Sequence, residues 1–166
     1  EETIRSVLLQ NYPNLEYIII DGGSTDGSVE IIKNYEPWLA YWVSEPDRGQ
    51  SHAINKGFAR ATGEIVGWLN SDDIYYPRAI CEAVKALSDA SNANLVYSDC
   101  LFIDSNSNPI RLFESKPLTI EDLISGNCIP QATVFFRKCI FDDVGYLTEQ
   151  YHYAMDYDLW VRVSMS

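Results

Sequence analysis

A loop rich in glycine, serine and aspartate, residues 21–28, is the first segment that could do chemistry. It lacks both the GxGxxG and the GxxxxGK[ST] patterns of loops that bind nucleotide phosphates. Gly22 and Gly23 allow the backbone to turn sharply and to come close to a ligand. We therefore expect Asp21 to accept hydrogen bonds from a base or a ribose. Asp26 is better explained as the cap of a following helix.

A pair of adjacent carboxylates, Asp72 and Asp73, follows an apolar segment that ends at Leu69. Divalent cations such as Mg²⁺ take oxygen ligands, usually one or two carboxylates together with substrate phosphates. The alternative is that one of the two aspartates caps a helix. Because the pair directly follows a predicted strand, we favour a cation site.

Two further segments have both a functional and a structural explanation. Arg48, next to Asp47, is one of few cations near so many acids, and it would pair with a diphosphate or with Asp47. An exposed ion pair, worth about 1 kcal/mol or less, explains Arg48 equally well. Asp156 precedes the apolar positions of a predicted helix, and taken alone it would be a helix cap.

Short apolar segments alternate with helical patterns along the chain, and these elements must position the polar residues. We predict strands at residues 17–21, 39–43, 64–69, 95–99 and 133–137. We predict helices at residues 28–35, 50–61, 77–87, 119–125 and 156–163, with Pro77 opening the third and Thr119 capping the fourth, and a hairpin across residues 101–113. This alternation predicts a mostly parallel sheet with helices on both faces.

Acidic residues follow four of the predicted strands. They are Asp21, then Glu45 and Asp47, then Asp72 and Asp73, and finally Asp99. Parallel sheets bind ligands at the carboxyl ends of their strands. Because like charges repel, negative charge gathered at one edge indicates a cation bound among the carboxylates.

Composition excludes several classes of protein. In the 166 residues, 46% hydrophobic and 13% aromatic content excludes intrinsic disorder. A net charge of −12 argues against binding to nucleic acid, which needs basic patches. The four cysteines have no CxxC or zinc-site spacing, and we interpret them as reduced, buried thiols of a cytoplasmic protein. No apolar run approaches the roughly 18 residues of a membrane span.

Three segments, in this order, resemble the inverting family-two glycosyltransferases of the GT-A fold. They are ETIRSVLLQNYPNLEYIIIDGGSTDGS, EPDRGQSHAINKGFARATGEIVGWLNSDD and DYDLW. The resemblance implies a Rossmann-like, three-layer α/β/α sandwich, with residues 1–166 forming one catalytic domain. It also implies that the family's first strand lies ahead of Glu1 and that a C-terminal part is missing. Any attachment to the inner face of a membrane would come from such missing segments.

The resemblance also implies a role for individual residues. Donor binding would involve Asp21, Gly23, Asp47, Arg48, Asp72 and Gln131, with Asp21 on the nucleotide and Gln131 near a sugar. Asp73 would ligate Mn²⁺ or Mg²⁺, and Asp156 would be the catalytic base. The family usually has a carboxylate just before the base, where this chain has Met155.

The implied reaction transfers a sugar from a nucleotide-diphosphate sugar to a hydroxyl of a glycan, lipid-linked or other acceptor. We expect it to be metal-dependent, to invert the anomeric centre and to serve polysaccharide or cell-surface glycan synthesis. Two alternatives remain at this point. One is a nucleotidyltransferase of related fold, and the other is a non-catalytic module that binds nucleotide sugars or glycans.

Overall fold

Helices and strands alternate along most of the chain in a computed structural model that describes residues 1–126 and 129–166. The helices are α1 (Glu2–Leu8), α2 (Ser28–Tyr35), α3 (Gln50–Arg60), α4 (Ala79–Asp89), α5 (Ile120–Ile124), α6 (Ile140–Val144) and α7 (Met155–Ser164). The strands are β1 (Ile18–Asp21), β2 (Tyr41–Ser44), β3 (Ile65–Val66), β4 (Leu95–Val96), β5 (Cys100–Ile103), β6 (Pro109–Phe113) and β7 (Phe135–Arg137). Short 3-10 helices lie at Glu36–Trp38 and Gln131–Thr133. The predicted α/β class is confirmed.

The strands pair in three groups. β1 and β2 are parallel, with Asp21 opposite Ser44 at their carboxyl ends. β7 lies between β3 and β4 and is antiparallel to both, so β3 and β4 run in the same direction. β5 and β6 form the predicted hairpin. The carboxyl ends of β1 and β2 therefore bring the loops after residues 21 and 44 side by side.

An aromatic core fixes α3 and α7 against β3 and β7. Phe136 of β7 is fully buried, and its ring packs against Phe58 of α3 at 5.6 Å and against Trp160 of α7 at 6.4 Å. Trp68, which follows β3, stacks on Trp160 with ring centroids 5.5 Å apart. This stacking holds the helix that carries Asp156 against the segment that leads to Asp72 and Asp73.

Some predicted boundaries differ from the structure. Strand β3 is shorter than predicted, and an added Cβ at Gly67 would lie 3.0 Å from the carbonyl oxygen of Val134, so the chains approach closely there. Helix α4 begins at Ala79 rather than Pro77, because Arg78 has a φ of 71°, outside the helical region. The predicted cap at Thr119 is confirmed by a capping box with Asp122.

The prediction that the cysteines are buried is wrong for Cys81 and Cys139, which are exposed, whereas Cys100 is half-buried. Cys81 follows the buried Ile80 on α4, and neighbouring helix positions do not share a face. The fourth, Cys128, lies outside the described residues. No helix in the described ranges is long and apolar enough to cross a membrane.

A cleft of about 1280 Å³ separates β1 from β3. Each of these strands pairs on one side only within the described residues, β1 with β2 and β3 with β7. Apolar side chains form part of its lining, among them Val7, Ile19, Phe58, Ile65 and Ile80. Protein interiors rarely contain voids larger than a water molecule, so a cleft bounded by two open strands has room for another strand.

We predict that an apolar strand of about five residues, a typical strand length, stabilises the fold when it enters this cleft. A Val/Ile-rich peptide flanked by lysines should raise the thermal unfolding midpoint and slow hydrogen exchange at amides of β1 and β3. The matched control peptide has a central proline, which removes a backbone donor. Equal effects of the two peptides, or none from either, would contradict the prediction.

Candidate functional site

Asp21 anchors the loop that follows β1. Its side chain is 8% exposed, and Oδ2 accepts hydrogen bonds from the amides of Gly23 at 3.0 Å and Ser24 at 2.9 Å. The hydroxyls of Ser24 and Ser44 also donate to it, at 2.5 and 2.6 Å. Burial alone would raise the pKa of Asp21, but these hydrogen bonds outweigh it and lower that pKa. Gly23 has a φ of 90°, a conformation that favours glycine.

Asp47, in the loop after β2, lies against the loop after β1. Its Oδ1 accepts a hydrogen bond from the amide of Gly49 at 2.8 Å. An added Cβ at Gly22 would be 2.5 Å from Oδ2 of Asp47, so a larger residue there would require the Asp47 side chain to move. Both Asp21 and Asp47 are polar residues of the large cleft's lining.

Arg48 does not line the large cleft, and it does not line the smaller cavity that contains Asp156. Its guanidinium binds both carboxylate oxygens of Glu149, with N–O distances of 2.8–3.1 Å, and its side chain is 68% exposed. The structure thus shows an exposed ion pair, with Glu149 rather than with Asp47. This ion pair joins the loop after β2 to the segment ahead of α7, whereas a contact with the donor stays a prediction.

Asp72 and Asp73 occupy different surroundings. Asp72 is exposed and lines the large cleft, whereas Asp73 is half-buried. Burial and the neighbouring charge of Asp72 raise the pKa of Asp73, against a weak hydrogen bond from Nδ2 of Asn70 at 3.5 Å. No lysine, arginine or histidine in residues 1–126 and 129–166 forms an ion pair with Asp73.

These surroundings fit a divalent cation held by few protein ligands. The described part of the chain has no cluster of three or more His, Cys, Asp or Glu side chains that could hold a metal ion. A half-buried carboxylate such as Asp73, with the exposed carboxylate of Asp72 next to it, still suits Mg²⁺ or Mn²⁺. Such ions usually complete their coordination with water and substrate phosphates.

A second, smaller cavity of about 210 Å³ contains Asp156. Its lining is Gln50, Asn70, Gln131, His152, Tyr153, Met155 and Asp156. Asp156 is half-buried in the first turn of α7, where the positive end of the helix dipole favours a carboxylate. Its Oδ1 accepts a hydrogen bond from the amide of Tyr157 at 2.8 Å.

The structure thus groups five of the eight predicted residues into two adjoining cavities. Asp21, Asp47 and Asp72 line the large cleft, whereas Gln131 and Asp156 line the small cavity. Asp73 lines neither, and its link to both is its hydrogen bond with Asn70.

Two other acidic strand ends do not join the cavities. Glu45 forms an ion pair with Lys56 at 2.8 Å. Asp99 accepts hydrogen bonds from the amide and hydroxyl of Ser115, both at 2.8 Å, and so holds the segment that follows β6.

Sequence reasoning missed Gln50 and Asn70, which line both cavities. Nε2 of Gln50 donates to Oδ1 of Asn70 at 2.7 Å, and Nδ2 of Asn70 donates to Oε1 of Gln131 at 3.0 Å. Only their positions in the sequence could have indicated these two residues. Asn70 directly precedes the Ser71–Asp73 segment, and Gln50 begins the helix after Asp47.

Comparison with known proteins decides the family. Residues 1–141 match the model of glycosyl transferase family 2. The chain belongs to this family. Membership favours glycosyl transfer over the nucleotidyltransferase and the non-catalytic module.

Curated relatives agree with this assignment. An uncharacterized glycosyltransferase of Rickettsia typhi is 30% identical, across 97% of this chain and 53% of its own length. An uncharacterized glycosyltransferase of Mycobacterium tuberculosis is 31% identical, across 99% of this chain and 63% of its own length. The chain thus spans roughly half to two-thirds of the length of these two relatives.

Solved structures of S. aureus TarS share the fold of this chain. The complex of TarS 1-349 with UDP has a TM-score of 0.72 at 20% identity, over 97% of this chain and 50% of that one. The complex with UDP-GlcNAc has a TM-score of 0.71 at 19% identity, over 97% and 48%. The predicted GT-A fold is therefore confirmed.

We predict that Asp21→Asn lowers the free energy of unfolding at pH 7 by about 1–3 kcal/mol, the usual contribution of hydrogen bonds to a charged group. Folding lowers the pKa of Asp21. Wild-type protein therefore has its full stability advantage over Asp21→Asn at pH values well above about 3.9, the pKa of aspartate in the unfolded chain. This advantage is lost as pH falls through the lower folded pKa. Urea unfolding of both proteins between pH 7 and pH 2.5 measures the difference.

The matched control is Asp26→Asn in the same loop. Asp26 is exposed, and its Oδ1 accepts a hydrogen bond from the amide of Ser28 at 3.1 Å; because of this exposure, its replacement should cost less. A wild-type advantage over Asp21→Asn that stays constant down to pH 2.5 would contradict the account.

Proposed function

We propose that this glycosyltransferase moves a sugar from a nucleoside-diphosphate donor in the large cleft to an acceptor hydroxyl in the small cavity. The observation that carries the proposal is the shared wall of Gln50 and Asn70 between a cavity lined by Asp21, Asp47 and Asp72 and a cavity that contains Asp156. The UDP and UDP-GlcNAc complexes of the fold neighbour TarS support a nucleotide sugar as the donor.

Asp73, with Asp72 beside it, would hold Mn²⁺ or Mg²⁺. When bound, such an ion supplies charge neutralisation for a diphosphate leaving group, which needs no proton to depart. A net charge of −12 and a polyanionic donor repel each other, so an acidic cleft needs a cation to accept this ligand. Asp21, whose oxygens already hold the loop, would shape the nucleotide end of the cleft.

Asp156 would accept the proton of the acceptor hydroxyl as that oxygen attacks the anomeric carbon. A positioned general base contributes about 10²–10⁴ in rate. Attack from the small cavity, with the diphosphate leaving on the side of the large cleft, inverts the anomeric centre by the logic of single-displacement glycosidases. Gln131, which lines the same cavity, would contact the sugar.

The remaining parts of the proposal concern the whole protein. We propose that residues 1–166 form one catalytic domain whose sheet is completed by a strand from ahead of Glu1. The open edges of β1 and β3 support this. The whole enzyme would act in the cytoplasm or at the inner face of the membrane, in polysaccharide or cell-surface glycan synthesis.

We predict that Asp73→Asn abolishes Mn²⁺-dependent binding of the donor, because it removes the carboxylate that would hold the cation. Thermal shift with a panel of UDP-, GDP- and dTDP-sugars, with and without Mn²⁺, identifies the donor and then compares the variant. Asp142→Asn, an exposed aspartate of α6, is the matched control. Unchanged donor affinity in Asp73→Asn, with Mn²⁺ still required, would place the cation elsewhere.

We predict that Asp156→Asn binds the donor with wild-type affinity and loses sugar transfer by about 10²-fold or more, because the amide cannot accept the proton. Release of the nucleoside diphosphate in the presence of acceptor measures turnover. Asp158→Asn on the same helix is the control, since Asp158 binds Thr148 and Arg162 rather than the cavity. Sugar transfer by Asp156→Asn at the wild-type rate would contradict the assignment of Asp156 as the general base.

A further inference from the structure

Three side-chain amides form a continuous hydrogen-bonded chain across the boundary of the two cavities. Gln50 donates to Asn70 at 2.7 Å, and Asn70 donates to Gln131 at 3.0 Å. Nε2 of Gln131 then donates to the carbonyl oxygen of Trp68 at 2.7 Å. Each amide in this chain therefore has its orientation set by its neighbours.

The amide chain ties together segments that are distant in sequence. Gln50 is the first residue of α3, Asn70 follows β3, and Gln131 begins the 3-10 helix ahead of β7. Its end at Trp68 is rigid, because Trp68 is 8% exposed and stacks on Trp160 of α7. The same helix, α7, carries Asp156, so it supports both the chain of amides and the proposed base.

Asn70 is the branch point of this chain. Its Oδ1 accepts from Gln50, while its Nδ2 donates both to Gln131 and, at 3.5 Å, to Asp73. The amide of asparagine can accept and donate at once. An aspartate at this position would keep the bond from Gln50, lose both donated bonds and place a third negative charge next to Asp72 and Asp73.

We propose that Asn70 is a positioning residue that holds Gln131 and Asp73 in the geometry needed for transfer between the cavities. This inference rests on the proposed function. The role of Asn70 is to fix Gln131, which lines the small cavity, and Asp73, the proposed cation ligand, rather than to bind metal or to move a proton. A misplacement of about 1 Å at a reacting centre can cost roughly 10²-fold in rate, so the hydrogen bonds of Asn70 matter to turnover more than to donor binding.

A double-mutant cycle on sugar transfer tests the proposal, with the donor that the thermal-shift panel selects. Asn70→Ala and Gln131→Ala should each lower kcat by about 10- to 100-fold, with donor KM within about 3-fold of wild type. The double variant should be no slower than the slower single variant, because both substitutions break the same chain. Fully multiplicative losses, or a change in KM alone, would overturn the proposal.

Two further variants separate positioning from simple loss of stability. Asn70→Asp should be as slow as Asn70→Ala, although it keeps the bond from Gln50; wild-type turnover in Asn70→Asp would overturn the proposal. Asn55→Ala is the matched control, because Asn55 of α3 makes two hydrogen bonds to the backbone of Leu147, at 2.9 and 3.0 Å. It should reduce stability and leave kcat unchanged, and an equal loss of kcat here would also count against a specific role of Asn70.

A spectroscopic measurement keeps this inference distinct from the proposed function. In ¹⁵N-labelled protein, Asn70→Ala should shift the side-chain amide resonances of both Gln50 and Gln131 and speed their hydrogen exchange, whereas Asn55→Ala should not. If no donor is turned over, the proposed function fails while shifted resonances still support the amide chain. Resonances that do not move in Asn70→Ala would overturn the inference whatever the activity.

Discussion

The repulsion between carboxylates at the ends of neighbouring strands is the constraint on which this site depends. The structure compensates most of them with specific partners. Hydroxyls and amides hold Asp21, the amide of Gly49 holds Asp47, and Lys56 forms an ion pair with Glu45. Asp73 differs, because burial and its neighbour Asp72 raise its pKa and no cationic side chain in the described ranges pairs with it. A half-buried anion of this kind gains most from a bound cation.

The fold explains why the segment that leads to Asp73 packs against the helix that carries the proposed base. Trp68 follows β3 and stacks on Trp160, which fixes α7 beside the segment that continues into Asn70 and Asp73. The positive end of α7 then favours a carboxylate at Asp156. This aromatic contact in the core thus helps to fix the relative positions of the segments that carry Asp73 and Asp156, which are 83 positions apart in the sequence (156 − 73). At the surface, the exposed pair of Arg48 and Glu149 joins the loop after β2 to the segment ahead of α7.

Local patterns in the sequence predicted much of the fold. β1, α2 and α3 follow from apolar runs and periodicity, and the hairpin and the cap at Thr119 follow from turn and capping residues. The antiparallel insertion of β7 between β3 and β4 was not predictable, because strand pairing depends on contacts across the whole chain. Local sequence also does not reveal the positive φ of Arg78, because of which α4 begins only at Ala79.

The sequence predicted candidate residues for the site, but it did not predict how they are arranged. Motif order predicted the carboxylates and Gln131, whereas the hydrogen bond between Asn70 and Gln131 joins positions 61 residues apart and has no local signal. The ion pair between Arg48 and Glu149, 101 residues apart, was missed for the same reason. An unpaired arginine among acids was equally compatible with a ligand, and only the folded arrangement shows its partner.

Anomalous diffraction from crystals of the protein soaked with Mn²⁺ and UDP tests the central claim most directly. The account predicts one manganese peak about 2.1 Å from a carboxylate oxygen of Asp73, a typical distance for hard cations of this size. UDP should then lie in the cleft near Asp21, with its diphosphate on the metal. A manganese peak on other acids, or UDP bound away from both cavities, would contradict the claim that the uncompensated charge of Asp73 makes the site.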